Sequence, residues 1–199
     1  DWVRNRAGVA LVGLDVGGGF PAVYGHDPNR KAKPMPPLEE LMGELRSNIT
    51  EWAFDDMPLV AEPGRVVVAL VVRVLLRKGR RLYINDGIWA SLSDSWTGKI
   101  TLPARFIPDP ARRIRKGNAE NVVPFKVCGA TCDSVDILSR PFWLPETVDT
   151  GDWIEIGHIG AYSLSLRTRF NGFYPDDFVE VTTPFDGEGA DGFASLETM

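Results

Sequence analysis

The stretch that most limits how this chain can fold is Val9–Val16, a mostly apolar run that ends abruptly in Gly17, Gly18 and Gly19. A run of that kind reads as a central parallel strand meeting a ligand loop, because a strand buried on both faces lacks the alternation of a half-exposed one. Three glycines in a row let backbone N–H groups approach an anion that any Cβ would block, and successive amides form a nest suited to phosphate. The same residues also suit a plain tight turn. Neither the G-x-G-x-x-G spacing nor a GK[ST] ending is present, so nucleotide-binding readings lose ground.

The following residues supply the rest of a parallel unit. "YGHDPNRKAKPMPP" is rich in turn formers, and Pro36 or Pro37 suits the first turn of a helix. Leu38, Leu41, Met42, Leu45, Ile49, Trp52 and Ala53 then recur at spacings of three and four, which predicts an amphipathic helix. "MPLVAEPGR" predicts a second short buried strand, ending in a Pro-Gly turn with Glu62 before it and Arg65 after it. Strand, helix, strand makes an α/β unit. The two charges are either ordinary turn residues or an acid and a guanidinium at the mouth of a parallel sheet, where such proteins bind ligands.

From about Val71 the texture changes. "VVRVLLRKGRRLYIND", "KITLPARFI", "VVPFKVCG" and "GDWIEIGHIG" are short β runs broken by Gly, Pro, Asn and Asp, which predicts a small barrel or sandwich. In "GHIGAYSLSLRTRFNGF", Tyr162, Leu164, Leu166 and Phe170 fit one strand face, while Tyr162, Leu166 and Phe170 also fit a helical spacing of four. Periodicity leaves both open. "DGEGADGFASLETM" has little to bury and reads as a loose tail.

Bulk properties narrow the function classes. A length of 199 residues holds one sizeable core, or one domain and part of another. A net charge of -5 with one basic cluster, "ARRIRKG", argues against a nucleic-acid grip. The apolar run Val66–Leu76 is far short of the roughly 20 residues that span a bilayer. No signal peptide is visible, and two cysteines without a wider framework suit a reducing compartment, so the expected location is the cytoplasm. Cys128 and Cys132, in "FKVCGATCDSVD", read as core filling or as a reactive pair. Zinc would need further ligands at finger-like spacing, and His26 and His158 are too distant in sequence to count, so no metal site is expected.

In this order, "LDVGGGFP", "AEPGR", "YINDGIWASL", "GATCDSVD" and "GAYSLSLRTRFNGF" resemble the C-terminal half of the ornithine decarboxylase family, over about Leu11–Val181. The family comprises pyridoxal-phosphate (PLP) enzymes with an alanine-racemase-like fold. The resemblance implies residues 1–68 as the last strands of a PLP-binding (β/α)8 barrel, 69–182 as a C-terminal β domain with a short helix after Gly160, and 183–199 as tail. It implies that Gly17, Gly18, Gly19 and Arg65 hold the cofactor phosphate with help from Tyr162, and that Glu62 faces the pyridine nitrogen. Cys132 is implied as the proton donor to Cα, Asp133 as the partner of the substrate's distal ammonium, and Phe170 as an active-site aromatic. The site is implied to lie between the subunits of a homodimer.

Two departures qualify what the resemblance implies. The family's Schiff-base lysine and ring-stacking histidine belong to its N-terminal half and match nothing here, so the chain is expected to be a piece of a longer enzyme and inactive alone. In "SLSDSWTGK", Thr97 and Gly98 stand where ornithine decarboxylases carry a Tyr-Asp pair, leaving Asp94 as the nearby acid to compensate. The implied reaction is decarboxylation of ornithine or lysine to a diamine in polyamine biosynthesis. The alternatives are a diaminopimelate decarboxylase and a non-catalytic binder of the antizyme-inhibitor kind.

Overall fold

The computed structural model describes residues 6, 12–20, 36, 38–51, 58–62, 64–65, 68–112 and 116–181. Val9–Leu11, His26 and its loop, Pro37, Trp52, Ala53 and the tail from 186 lie outside these. The described residues fall into two units, one ending at Gly64 and one beginning at Arg65.

In the first unit, β1 (Leu14–Asp15) and β2 (Leu59–Val60) pair in parallel, with helix α1 (Leu38–Glu51) between them in sequence. Leu14 N–H donates to Pro58 C=O and Val16 N–H to Val60 C=O, both at 2.9 Å. Glu39 and Glu40 occupy the first turn of α1, where the helix dipole favours negative charge. The strand–helix–strand order matches the expectation, but the expected burial of the second strand does not. Leu59 and Val60 are half exposed, because β1 and β2 are the whole sheet among this unit's described residues, and a two-stranded ribbon cannot cover both its faces.

The second unit is a six-stranded sheet in the order β5-β8-β3-β4-β6-β7. Its strands are β3 (Leu70–Lys78), β4 (Arg81–Ile84), β5 (Ala104–Ile107), β6 (Val122–Cys128), β7 (Phe142–Pro145) and β8 (Trp153–Ile156). All neighbouring pairs are antiparallel except β4 and β6. The end strands β5 and β7 lie against each other, so the sheet curls toward a barrel. Alternation builds its interior: Val72 and Val74, Leu82 and Ile84, Val123, Phe125 and Val127, and Ile154 and Ile156 all point inward. A β-bulge between Val74 and Leu76 breaks that rhythm, which is why Leu75 and Leu76 are both exposed.

Sequence reading does not single out β7, whose four residues are closed off by Pro141 and Pro145, and it overextends β5 to include residues 99–103. The ambiguous segment resolves as a helix, α3 (Gly160–Leu166), which packs against α2 (Ser93–Thr97). Arg112 of the basic cluster is not merely solvated: it pairs with Asp149 at 2.7 Å and Asp152 at 3.0 Å. Among the described residues no helix is long and apolar enough to cross a membrane.

Candidate functional site

In the first unit the glycine turn after β1 meets the end of β2. Gly17 and Gly19 have φ of +70° and +77°, the left-handed region that glycine adopts without strain. Gly17 C=O accepts from Glu62 N–H at 2.8 Å, so the turn after β1 is fastened to the segment after β2. A Cβ on Gly18 would come 2.7 Å from the Glu62 carbonyl oxygen, a contact backbone cannot yield. Added carbons at Gly17 and Gly19 would meet nothing within 4 Å, so the turn is tight on one side and open on the other. Gly17 N–H is taken by Asp15 Oδ1 at 2.8 Å. The amides of Gly18 and Gly19 have no acceptor among the described residues. The Glu62 side chain is exposed.

A second group assembles in the other unit. Arg65 Nε donates to Asp94 Oδ2 at 3.0 Å and Nη2 to Oδ1 at 3.4 Å, and the guanidinium lies 4.9 Å from the Tyr162 ring centroid. The packing of α2 on α3 brings Asp94 and Tyr162 together. Asp94, expected to help hold the substrate amine, has both oxygens on Arg65. Its carboxylate orients the guanidinium and offsets its charge, which a free arginine would present in full.

A third group surrounds the cysteine motif. Cys132 is exposed, with φ of +59°, a conformation that costs a side-chain-bearing residue of order 1 kcal/mol or more. Its surroundings impose that geometry. The fully buried Asp136 carboxylate accepts from Ile88 N–H at 2.9 Å and from Thr131 through both its N–H and its hydroxyl. Asn171 Nδ2 donates to Thr131 C=O at 2.6 Å. A Cβ on Gly87 would fall 2.2 Å from Asp136 Oδ1, and one on Gly129 2.1 Å from Oδ2, so two glycines make room for this acid. The loop thereby turns the Cys132 thiol outward, with only a weak 3.9 Å contact to Ala130 C=O.

Asp133, next in sequence, is half-buried. Its Oδ1 accepts from Val135 N–H at 3.0 Å and its Oδ2 from the Trp89 indole N–H at 3.1 Å. It makes no ion pair among the described residues, so its negative charge has two neutral donors and no cation. Phe170 is exposed, its ring 5.3 Å from that of Trp89.

The cysteines divide in role. Cys128 is buried in β6, and burial pushes its thiol up against the opposing pull of Arg81 and Lys126. Neither is in a disulfide. His158 is buried in the turn after β8. Among the described residues no cluster suited to a metal ion occurs. Asp86 is also buried, its carboxyl pushed by desolvation from the usual 3.8 up to about 6, with Ser91 and the Gly87 amide opposing and Asp136 adding to the rise.

Sequence reading passes over Trp89, Asp136, Asn171, and the glycines that admit Asp136. Each lies inside a quoted motif, but the contacts of Gly87 and Gly129 with Asp136 are tertiary and leave no local signal.

Two family models match consecutive parts of the chain. Residues 2–69 match the one described as pyridoxal-dependent decarboxylase, pyridoxal binding domain, and residues 66–160 match the pyridoxal-dependent decarboxylase C-terminal sheet domain. A lysine/ornithine decarboxylase of Selenomonas ruminantium is 32% identical over 182 residues, covering 85% of this chain and 41% of that protein. A crystal structure described as SrLDC in complex with PLP and cadaverine superimposes with a TM-score of 0.58 at 29% identity, over 85% of this chain and 42% of the other. A lysine/ornithine decarboxylase from Vibrio vulnificus, complexed with putrescine, gives 0.58 at 25% identity, over 89% and 47%. The chain thus spans under half the length of these relatives.

Proposed function

The chain belongs to the pyridoxal-dependent decarboxylase family, and from that premise we propose that it forms the cofactor cradle and substrate-selecting loop of an enzyme that decarboxylates a basic diamino acid, lysine or ornithine, to the diamine. The observation that carries this reading is the juxtaposition of an outward thiol at Cys132 with the Asp133 carboxylate, which has two neutral donors and no ion pair among the described residues. A buried or half-buried carboxylate held only by neutral donors is a ready acceptor for an ammonium group.

The residues present fit PLP. The turn at Gly18 is too tight for a Cβ yet open at Gly17 and Gly19, and the two amides without acceptors among the described residues suit a phosphate. Arg65, oriented by Asp94 and Tyr162, presents a guanidinium suited to an anion. The exposed Glu62 carboxylate would favour the protonated form of the bound cofactor's pyridine nitrogen. When bound, the cofactor supplies an electron sink at the moment CO2 leaves.

The chain's own residues do the rest. Asp133 fixes the substrate's distal ammonium and Phe170 walls its alkyl chain, so that Cα stands in reach of Cys132. The Cys132 thiol then delivers a proton to Cα. We propose a homodimer in which Cys132 and Asp133 serve the cofactor held by Glu62 and Arg65 of the partner subunit, acting in the cytoplasm in diamine formation.

The test uses the protein at the full length of its relatives, loaded with PLP. CO2 release is measured from ornithine, lysine, arginine and diaminopimelate. Lysine or ornithine should lead, and a profile led by diaminopimelate overturns the substrate assignment. Cys132→Ala should retain PLP but lose at least about 100-fold in diamine formation, the scale of a positioned general acid. Undiminished diamine output removes Cys132 from the role.

A further inference from the structure

We propose that Trp89 is the residue that positions Asp133 and sets the depth of the amine-binding end of the site. The inference rests on the functional reading above and adds a specificity-determining residue to it.

The argument begins with what an aspartate needs in order to select a cation. Its charge must be kept, so it cannot be neutralised by an internal lysine or arginine. Its orientation must also be fixed, or its distance from the reacting carbon is undefined. Trp89 satisfies both conditions: an indole N–H is a donor only and carries no charge, and here it holds Oδ2 at 3.1 Å while the Val135 amide holds Oδ1 at 3.0 Å. Each oxygen keeps a lone pair for an incoming ammonium.

Trp89 is itself anchored. Its carbonyl accepts from Thr168 through both the backbone N–H at 2.8 Å and the hydroxyl at 2.7 Å. Its ring packs on Phe170 at 5.3 Å with the planes tilted by 51°, an arrangement favoured between aromatic quadrupoles. Asn171, beside Phe170, reaches across to Thr131 C=O at 2.6 Å, fastening the Phe170 segment directly to the loop that carries Asp133. One side chain therefore joins the carboxylate that receives the charge to the aromatic that walls the chain. Moving the indole would displace both, changing the distance between the ammonium site and Cα. The ligand class is a basic amino acid with an unbranched alkyl chain, or the corresponding diamine.

Two measurements test this. The first uses the chain itself, in 1H–15N spectra of its indole N–H groups, with the Trp89 resonance assigned by its loss in Trp89→Phe. In Asp133→Ala that resonance should move upfield by more than any other indole resonance, because a charge-assisted hydrogen bond is removed. Asp133→Asn serves should the alanine variant fail to fold. A Trp89 resonance no more responsive than the rest overturns the positioning role. The second uses the PLP-loaded full-length protein. Trp89→Phe keeps an aromatic ring and removes the N–H, and should raise KM for lysine or ornithine about tenfold, more than it lowers kcat. It should weaken inhibition by cadaverine in parallel. Unchanged KM and unchanged inhibition overturn the specificity role. A wild-type enzyme inactive on every basic amino acid would take down the functional reading and the ligand class named here, while the indole resonance would still judge the hydrogen bond.

Discussion

The unit beginning at Arg65 and the unit ending at Gly64 place candidate chemistry on different kinds of support. In the former, the thiol and carboxylate loop stands on a curled sheet whose inward side chains, Phe125, Leu82, Ile84 and Ile154 among them, are fully buried, and is pinned by the buried Asp136. In the latter, the glycine turn is set mainly by backbone, through the Gly17–Glu62 hydrogen bond and the contact at Gly18, with one local bond to the Asp15 carboxylate, while Leu59 and Val60 stay half exposed. A phosphate nest asks for backbone geometry and nothing from side chains. A proton donor at a chosen point asks for a rigid side-chain scaffold.

The comparison breaks most readily through core substitutions. Phe125→Ala should cost about 3–5 kcal/mol in urea unfolding of the chain, and Leu59→Ala about 1 kcal/mol or less. Equal costs would mean that the two regions share one cooperative core.

A smaller effect tests the polar scaffold of the sheet unit. Asp86 binds its proton more tightly when folded, about 6 against 3.8. Its contribution is therefore complete below the unfolded value and is lost as pH rises through about 6, amounting to about 3 kcal/mol at most. The stability difference between wild type and Asp86→Asn should fall between about pH 4 and pH 7 and be flat above. A difference independent of pH would contradict a desolvated carboxyl there.

The smallest effect sharpens the contrast within the cysteine pair. A bulky maleimide should label Cys132 in the folded chain and spare Cys128, with no loss of the folded signal. Labelling of both at similar rates would mean that β6 opens readily.

Much of this was legible from residue order. The strand–helix–strand unit and the β runs follow from the period of apolar residues, and the family motifs lie where glycine or a charged pair interrupts those runs. What escaped were facts of tertiary placement. No local pattern says that Asp94 meets Arg65, because the two stand 29 residues apart in sequence. Trp89 reads as one more apolar residue until its N–H is seen on Asp133. β7 was hidden by a proline before it and another at its last residue, and the exposure of Leu59 depends on what covers the sheet rather than on its own sequence.

The fit of Gly87 and Gly129 around Asp136 has a consequence for anyone altering this protein. Gly87 comes from a segment distant from the loop that carries Gly129 and Asp136, yet the three tolerate change only as a block: an alanine at either glycine collides with the acid, and a smaller residue in place of the acid strands the donors of Ile88 and Thr131. Libraries aimed at new substrates should hold this trio constant and vary the rim around it, where a side chain can be exchanged without dismantling the loop that presents the thiol.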